Sequence, residues 1–368
     1  MRGLYIHIPF CNSICSYCDF CKFLYNEEWA SNYLNVLSEE IDEYYEGDEV
    51  KSIYIGGGTP SALSEKNLIK LFNIIKKIKT CNNFEFTFEC NVNDICEGLL
   101  ELLIRNGVNR LSVGVESFDK YNLKYLNRKH DKKQIVKNIE LAKKYIDNIN
   151  VDLIYAIPIE TMSMFKNDVK SILKLDVDHI STYSLIIEEH TMLSYKKVKP
   201  IDEELDLKMY KYLCKSFKKA GYNHYEVSNF ARNGKASRHN LTYWDNEEYY
   251  GFGLGASGYI NDMRYENTRN FNKYLNREYR FNEVLISNRE EMENEVMLGL
   301  RKLGGISISL FKKKFNKDIF EEFNIKYALD QGMIEISDDF IYIPEDKIYV
   351  MNEIINTIIW KGKSEWRY

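Results

Sequence analysis

Cys11, Cys15 and Cys18 share one short loop in the spacing Cys-x-x-x-Cys-x-x-Cys, and Cys21 follows shortly after. Thiols gathered this closely in a reducing compartment read as a metal-binding or catalytic group rather than as disulfides. Three thiolates on one tight loop can ligate three irons of a [4Fe–4S] cubane, leaving the fourth iron without a protein ligand. Ordinary electron-transfer clusters use four cysteines. An open iron can chelate the amino and carboxylate groups of S-adenosylmethionine and bring its sulfonium beside the cluster. One electron passed into that sulfonium breaks its bond to C5′ and gives an adenosyl radical. The competing reading is zinc on all four thiols, since Cys15-x-x-Cys18-x-x-Cys21 has zinc-like spacing at each step. Structural zinc sites more often join two separated cysteine pairs, so the cubane is preferred and Cys21 is read as a non-ligand. Cys81, Cys90, Cys96 and Cys214 read as small buried hydrophobes.

A loop of this kind needs a scaffold. Six strand-like runs rich in β-branched and aromatic residues occur at 4–9, 52–56, 84–89, 110–116, 150–155 and 179–185. Amphipathic helical stretches fall between them at 27–46, 64–79, 95–106, 119–145 and 161–175, with a further helix near 203–220. Strand–helix alternation with such connections implies a parallel sheet with right-handed crossovers. Six units are too few for the eight-stranded closed barrel, so the expected fold is α/β, a partial (β/α)6 barrel over residues 1–222. The cysteine loop follows strand one and Gly57-Gly58-Thr59-Pro60 follows strand two; Glu89 ends strand three and Glu116 ends strand four. Chemistry in parallel α/β folds collects at the carboxyl ends of strands, so these residues should share one mouth. Residues 223–288 are rich in Gly, Asn and aromatics and read as loops and short strands beside the barrel. Residues 289–368 read as a small helix-rich C-terminal domain, with a strand pair at 333–336 and 340–343 and a helix ending at Gly304-Gly305.

Composition sets the outer limits. The chain has 368 residues, 45% hydrophobic and 29% charged, ordinary for a globular protein. No apolar run is long enough to span a membrane, and the N-terminus lacks the marks of a signal peptide, so a cytoplasmic location is expected. A net charge of −5 argues against broad nucleic-acid binding. The lysines read as solvated helix faces.

Tyr5-Ile6-His7-Ile8-Pro9-Phe10-Cys11, running on through Cys15-Ser16-Tyr17-Cys18, resembles the signature of the radical S-adenosylmethionine superfamily. Within it the chain resembles the branch that holds oxygen-independent coproporphyrinogen III oxidase and the HemW heme chaperones. The resemblance covers nearly the whole chain, including a HemN-type C-terminal accessory domain. It implies a [4Fe–4S] cluster on Cys11, Cys15 and Cys18, and an S-adenosylmethionine pocket on Tyr5, Gly57, Gly58, Thr59, Glu89, Glu116, Arg128 and Asp152. Arg128 suits the ligand carboxylate; Glu89 and Asp152 suit amino or ribose groups. Glu116 departs from the family, which usually carries Gln there, and Asp152 requires a one-residue shift in spacing.

Three features separate oxidase from chaperone. The oxidase motif has a further Cys two places after the third, where this chain has Phe20. The oxidases carry a long N-terminal extension, whereas the first strand here begins at residue 4. Arg238-His239-Asn240-Leu241-Thr242-Tyr243-Trp244 resembles the His-Asn-x-x-Tyr-Trp segment associated with heme binding in HemW proteins. The expected function is therefore heme binding, with His239 as candidate iron ligand, and heme transfer to acceptor hemoproteins. Decarboxylation of coproporphyrinogen III is the alternative. His7 is expected to pack or hydrogen-bond near the cluster. An external electron donor is implied. A homodimer is left open, and an aromatic-rich surface leaves open peripheral contact with a membrane.

Overall fold

The computed structural model describes residues 1–360; residues 361–368 of the expected C-terminal domain lie outside it. Six parallel strands form its centre: β1 (Arg2–Ile8), β2 (Val50–Gly57), β3 (Thr80–Asn91), β4 (Arg110–Glu116), β5 (Asn148–Tyr155) and β6 (His179–Ser184). They lie side by side in chain order and pair in parallel throughout. Helices α1 (Glu27–Tyr44), α2 (Glu65–Ile75), α3 (Glu97–Arg105), α4 (Lys120–Tyr125), α5 (Lys132–Ala142) and α6 (Met162–Leu173) make the crossovers. This is the expected (β/α)6 arrangement.

The strands alternate between two environments, as a pleat requires. In β4, Leu111, Val113 and Val115 are fully buried and belong to the apolar core. Arg110, Ser112, Gly114 and Glu116, at the alternate positions, line the barrel lumen. Asn150 and Asp152 of β5, and Ser181 and Tyr183 of β6, continue that polar interior. The sheet is thus held from its helix side, and the lumen is left free for ligands.

Two expectations change. The helical stretch 119–145 is two helices, α4 and α5. Asn127 takes a left-handed φ of 58° between them, and α5 restarts on a capping box of Asp131 and Gln134. Arg128 sits in that turn. Residues 223–288 hold the expected short strands, but these extend the barrel's sheet at both edges rather than pack beside it. Strands β7 (Asn223–Glu226) and β8 (Asn229–Ala231) add to β6, while β9 (Tyr249–Phe252) pairs in parallel with β1. Strands β10 (Ser257–Ile260), β11 (Met263–Asn267) and β12 (Arg280–Leu285) continue outward from β9 as an antiparallel meander. Pairing both edges covers hydrogen-bonding groups that an open barrel would expose. Glu40 of α1 fixes this extension from behind: buried, it accepts from Gly253 N, Tyr274 Oη and Asn267 Nδ2.

The C-terminal region packs helices such as Asn288–Gly299 and Met351–Ile359 around a three-stranded sheet. The expected strand pair is present as Glu335–Ser337 against Phe340–Tyr342. The helix expected to end at Gly304-Gly305 ends earlier, at Gly299, where glycine is required because a side chain would strike Ile306. Cys96, expected inside, is exposed at the start of α3.

Candidate functional site

The mouth of the barrel holds a cavity of roughly 490 Å³, within the range of small-ligand sites. Cys11, Cys15 and Cys18 line it together with Gly57, Gly58, Thr59, Glu89, Glu116, Arg128 and Asp152. Residues drawn from five separate β/α units therefore meet in one space.

The cysteine loop is anchored by its neighbours. Gly58 N donates to Ile8 O at 2.9 Å and Thr59 N to Phe10 O at 2.8 Å, both just ahead of Cys11. A Cβ on Gly58 would lie 2.9 Å from that backbone, so the approach requires glycine. Gly57 has a φ of 114°, and a Cβ there would meet the His7 ring at 2.5 Å. Gly57 N donates to Glu89 Oε2 at 3.2 Å. The amide donors of this turn are thus committed within the protein. A ligand ammonium would find its acceptors among carbonyls and carboxylates.

Three thiols border the cavity, although among the described residues no three His, Cys, Asp or Glu side chains are drawn together closely enough to hold a metal ion. Thr59 Oγ1 lies 3.5 Å from Cys11 Sγ, and Arg128 Nη1 lies 3.3 Å from Cys15 Sγ. Cys21 is turned away: it does not line the cavity, and its Sγ is directed to Arg269 O at 3.7 Å. Its carbonyl bonds His7 Nε2 at 2.8 Å. His7 accordingly braces the loop from below, and burial holds its pKa down to about 4. Burial also raises the Cys11 thiol, and pushes Cys18 up to about 11. Burial thus favours the neutral thiol at Cys11 and Cys18, and bound iron would supply the positive charge that thiolates need.

Arg128 is the main cation of the mouth. It reaches the Gly114 carbonyl, lies 3.9 Å from Glu116 Oε1, and leaves its buried Nε without a partner. Glu116 has a left-handed φ of 67°, at a register shift in the β4–β5 pairing. Sustained strain of this kind is typical of functional positions. Burial raises its carboxyl to about 7, opposed by Arg128. Burial thus favours the protonated carboxyl, which can donate as well as accept. Burial likewise raises Glu89 to about 7, opposed by the Tyr54 hydroxyl, which donates to Oε1 at 2.7 Å. Asp152 is raised by burial and accepts from Asn150 Nδ2 at 2.8 Å.

Two sequence-derived residues are not brought to the cavity. Tyr5 does not line it; its hydroxyl lies 3.0 Å from His7 Nδ1. Tyr54, one strand over, faces the lumen instead. His239 lies at the opposite end of the barrel, on α7 (Arg238–Trp244), and is only 1% exposed. Its Nδ1 lies 2.9 Å from Ser52 Oγ and its Nε2 2.7 Å from Tyr243 Oη. Both ring nitrogens are engaged and burial drives the pKa down to about 3, so in this arrangement the ring has no nitrogen to offer iron. Sequence reasoning passed over Tyr54, Tyr17 and Arg110, which all line the cavity. Their lumen-facing register on the strands, or their place in the cysteine loop, was the available signal.

Three thiols and a glycine turn at the mouth of a partial barrel define a radical S-adenosylmethionine protein. The model of the Radical SAM superfamily matches residues 5–172, and that of the HemN C-terminal domain residues 286–346. The heme chaperone HemW of Lactococcus lactis is 42% identical over 85% of this chain and 85% of its own length. That of Bacillus subtilis is 34% identical over 98% of this chain and 99% of its own. The chain belongs to the HemW heme chaperone family. Coproporphyrinogen III oxidase (HemN) from Escherichia coli superposes with a TM-score of 0.85 at 21% identity, covering 97% of this chain and 89% of that one, a likeness of fold.

Proposed function

We propose that this chain is a heme chaperone that carries a [4Fe–4S] cluster on Cys11, Cys15 and Cys18 and binds S-adenosylmethionine beside it. The observation that carries the reading is the convergence of those thiols with Gly57–Thr59, Glu89, Glu116, Arg128 and Asp152 on one cavity, in a chain of the HemW family. When bound, the cluster supplies an open iron and one electron. The protein's own groups do the rest. Arg128 holds a carboxylate, Glu89 and Asp152 accept from amino or ribose groups, and Glu116 donates or accepts according to its proton.

Heme and acceptor hemoproteins follow from what the relatives are named for. Of the six histidines, His190 is the exposed one; the other five are buried. It lies on the loop after β6, whose residues Leu185, Ile186 and Glu188 line the mouth. Phe20, 61% exposed at the same mouth, supports the chaperone reading over the oxidase, whose motif has Cys there. We place the protein in the cytoplasm, and no helix among the described residues is long and apolar enough to cross a membrane.

The test is heme titration of reconstituted protein, followed by transfer to an apo-hemoprotein, with parallel anaerobic incubation with coproporphyrinogen III. Stoichiometric binding and transfer with no protoporphyrinogen is expected. Porphyrinogen turnover, or failure to bind heme, would contradict the reading.

A further inference from the structure

A protein that carries heme must offer an axial ligand to iron, an apolar surface to the macrocycle and cations to the propionates. His239 offers no ligand, because both of its ring nitrogens are bonded inside the barrel. The open imidazole is that of His190. It is exposed, and among the described residues neither ring nitrogen has a partner.

His190 stands in the segment 185–200, between β6 and the helix Glu203–Lys219. That segment carries two sets of apolar side chains. Leu185 and Leu193 are buried with Leu126, Ile154 and Ile157, and Ile187 and Val198 pack against them. This first set anchors the loop to the barrel. The second set, Ile186 at 67%, Met192 at 44% and Tyr195 at 73% exposure, faces solvent. Met192 and Tyr195 are three apart on one short helix and so share a face. Single exposed hydrophobes need no explanation, but several on one loop mark a binding surface.

The loop is fixed where His190 sits. Thr191 Oγ1 donates to Glu188 O at 2.7 Å and accepts from Ser194 N at 3.2 Å. His190 itself takes a left-handed φ of 64° within that bonded turn. Leu193 N donates to Ser16 O at 3.2 Å, which ties the segment to the cysteine loop. Charge is ordered along the chain: Glu188 and Glu189 precede His190, and Lys196, Lys197 and Lys199 follow it. All five are exposed, and among the described residues none is in an ion pair. Ferric heme is cationic at its iron and anionic at its propionates. Carboxylates beside the imidazole and lysines farther along match that polarity. An acceptor beside a ligating imidazole also fixes its tautomer and raises its basicity.

We propose that heme docks on the outer face of this loop, with His190 as the iron ligand. Ile186, Met192 and Tyr195 pack the macrocycle, and Lys196, Lys197 and Lys199 meet the propionates. The inference rests on the heme-chaperone reading above and names the residues that hold the cargo. Binding is a ligand exchange: an imidazole nitrogen gives its electron pair to iron, a water leaves, and iron keeps its oxidation state. Held at the surface rather than in the lumen, the cargo is open to an acceptor protein.

The test is titration of the full chain with hemin, followed by absorbance, first without the cluster and again after reconstitution. His190→Ala is expected to lose affinity at least about tenfold, together with the spectrum of imidazole-ligated iron. His190→Tyr is expected to keep heme but show a phenolate-ligated spectrum, a change that a merely structural role would not produce. The double variant Lys196→Glu, Lys199→Glu is expected to bind hemin more weakly and hemin dimethyl ester as the wild type does. Folded His239→Ala is expected to bind as the wild type does. A wild type that takes up no hemin overturns the chaperone reading and this site with it. A wild type that binds hemin while His190→Ala matches its affinity and spectrum overturns this site alone. Uptake of several hemins per chain, unchanged in every variant, is adventitious association and also overturns it.

Discussion

At Glu116 burial raises the carboxyl toward its neutral form, and Arg128 opposes that shift. Its carboxyl, held near pH 7 by burial and drawn down by Arg128, ionises across the physiological range. An ionised Glu116 competes with a ligand carboxylate for Arg128. The affinity for S-adenosylmethionine, measured by equilibrium dialysis, should therefore fall in the wild type relative to Glu116→Gln as pH rises above about 7, with near-equal affinities at pH 6. Arg128→Gln should weaken binding at least about tenfold at all pH values. At the other end of the barrel, His239→Ala removes a buried ring and leaves Ser52 and Tyr243 without its two hydrogen bonds. A loss of roughly 2–4 kcal/mol in urea unfolding is expected, with heme uptake retained by the folded fraction. The cysteines and the glycine turn could be read from spacing because they are local in sequence. His239 could not, because its environment is made by Ser52, far away in the chain.

The crossover elements decide where Arg128 stands. Helix α4 is tied to the segment after β5 by Glu160, which accepts from Asn122 Nδ2 at 3.1 Å and from Ile157 N at 3.4 Å. Burial, with Asp168 nearby, pushes the Glu160 carboxyl up to about 8. A carboxyl raised in the folded state holds its proton there after the unfolded chain has lost it. Its stabilising effect is full below about pH 4.5 and is lost as pH climbs through about 8. Glu160→Gln should thus flatten the decline in stability over that window and raise thermal stability at pH 8, by on the order of 1–3 kcal/mol. An unchanged pH profile would show that Glu160 is ionised in the native state. The break between α4 and α5 was legible in principle. Asp131 and Gln134 stand in capping-box spacing, but the absence of Gly or Pro from 119–145 made one long helix the simpler reading. The lumen-facing residues were legible for a different reason: polar residues at alternate positions of β4 contradict a strand buried in apolar surroundings on both sides.

At the scale of the molecule, the two ends of the barrel are given different work. The carboxyl end gathers thiols, carboxylates and Arg128 around an open mouth. The amino end is closed by α7, whose first amides donate to Glu85: Arg238 N to Oε2 and His239 N to Oε1, each at 3.0 Å. Edge pairing was not legible in the sequence, because β9 joins β1 across most of the chain and nothing local announces such a partner. The central claim concerns the carboxyl end, and anaerobic reconstitution followed by electron paramagnetic resonance tests it most directly. The account predicts about four irons per chain in the wild type and in Cys21→Ala, with a reduced-cluster spectrum that shifts when S-adenosylmethionine is added. It predicts loss of that cluster in Cys15→Ala. A spectrum indifferent to S-adenosylmethionine, or a cluster that requires Cys21, would contradict it.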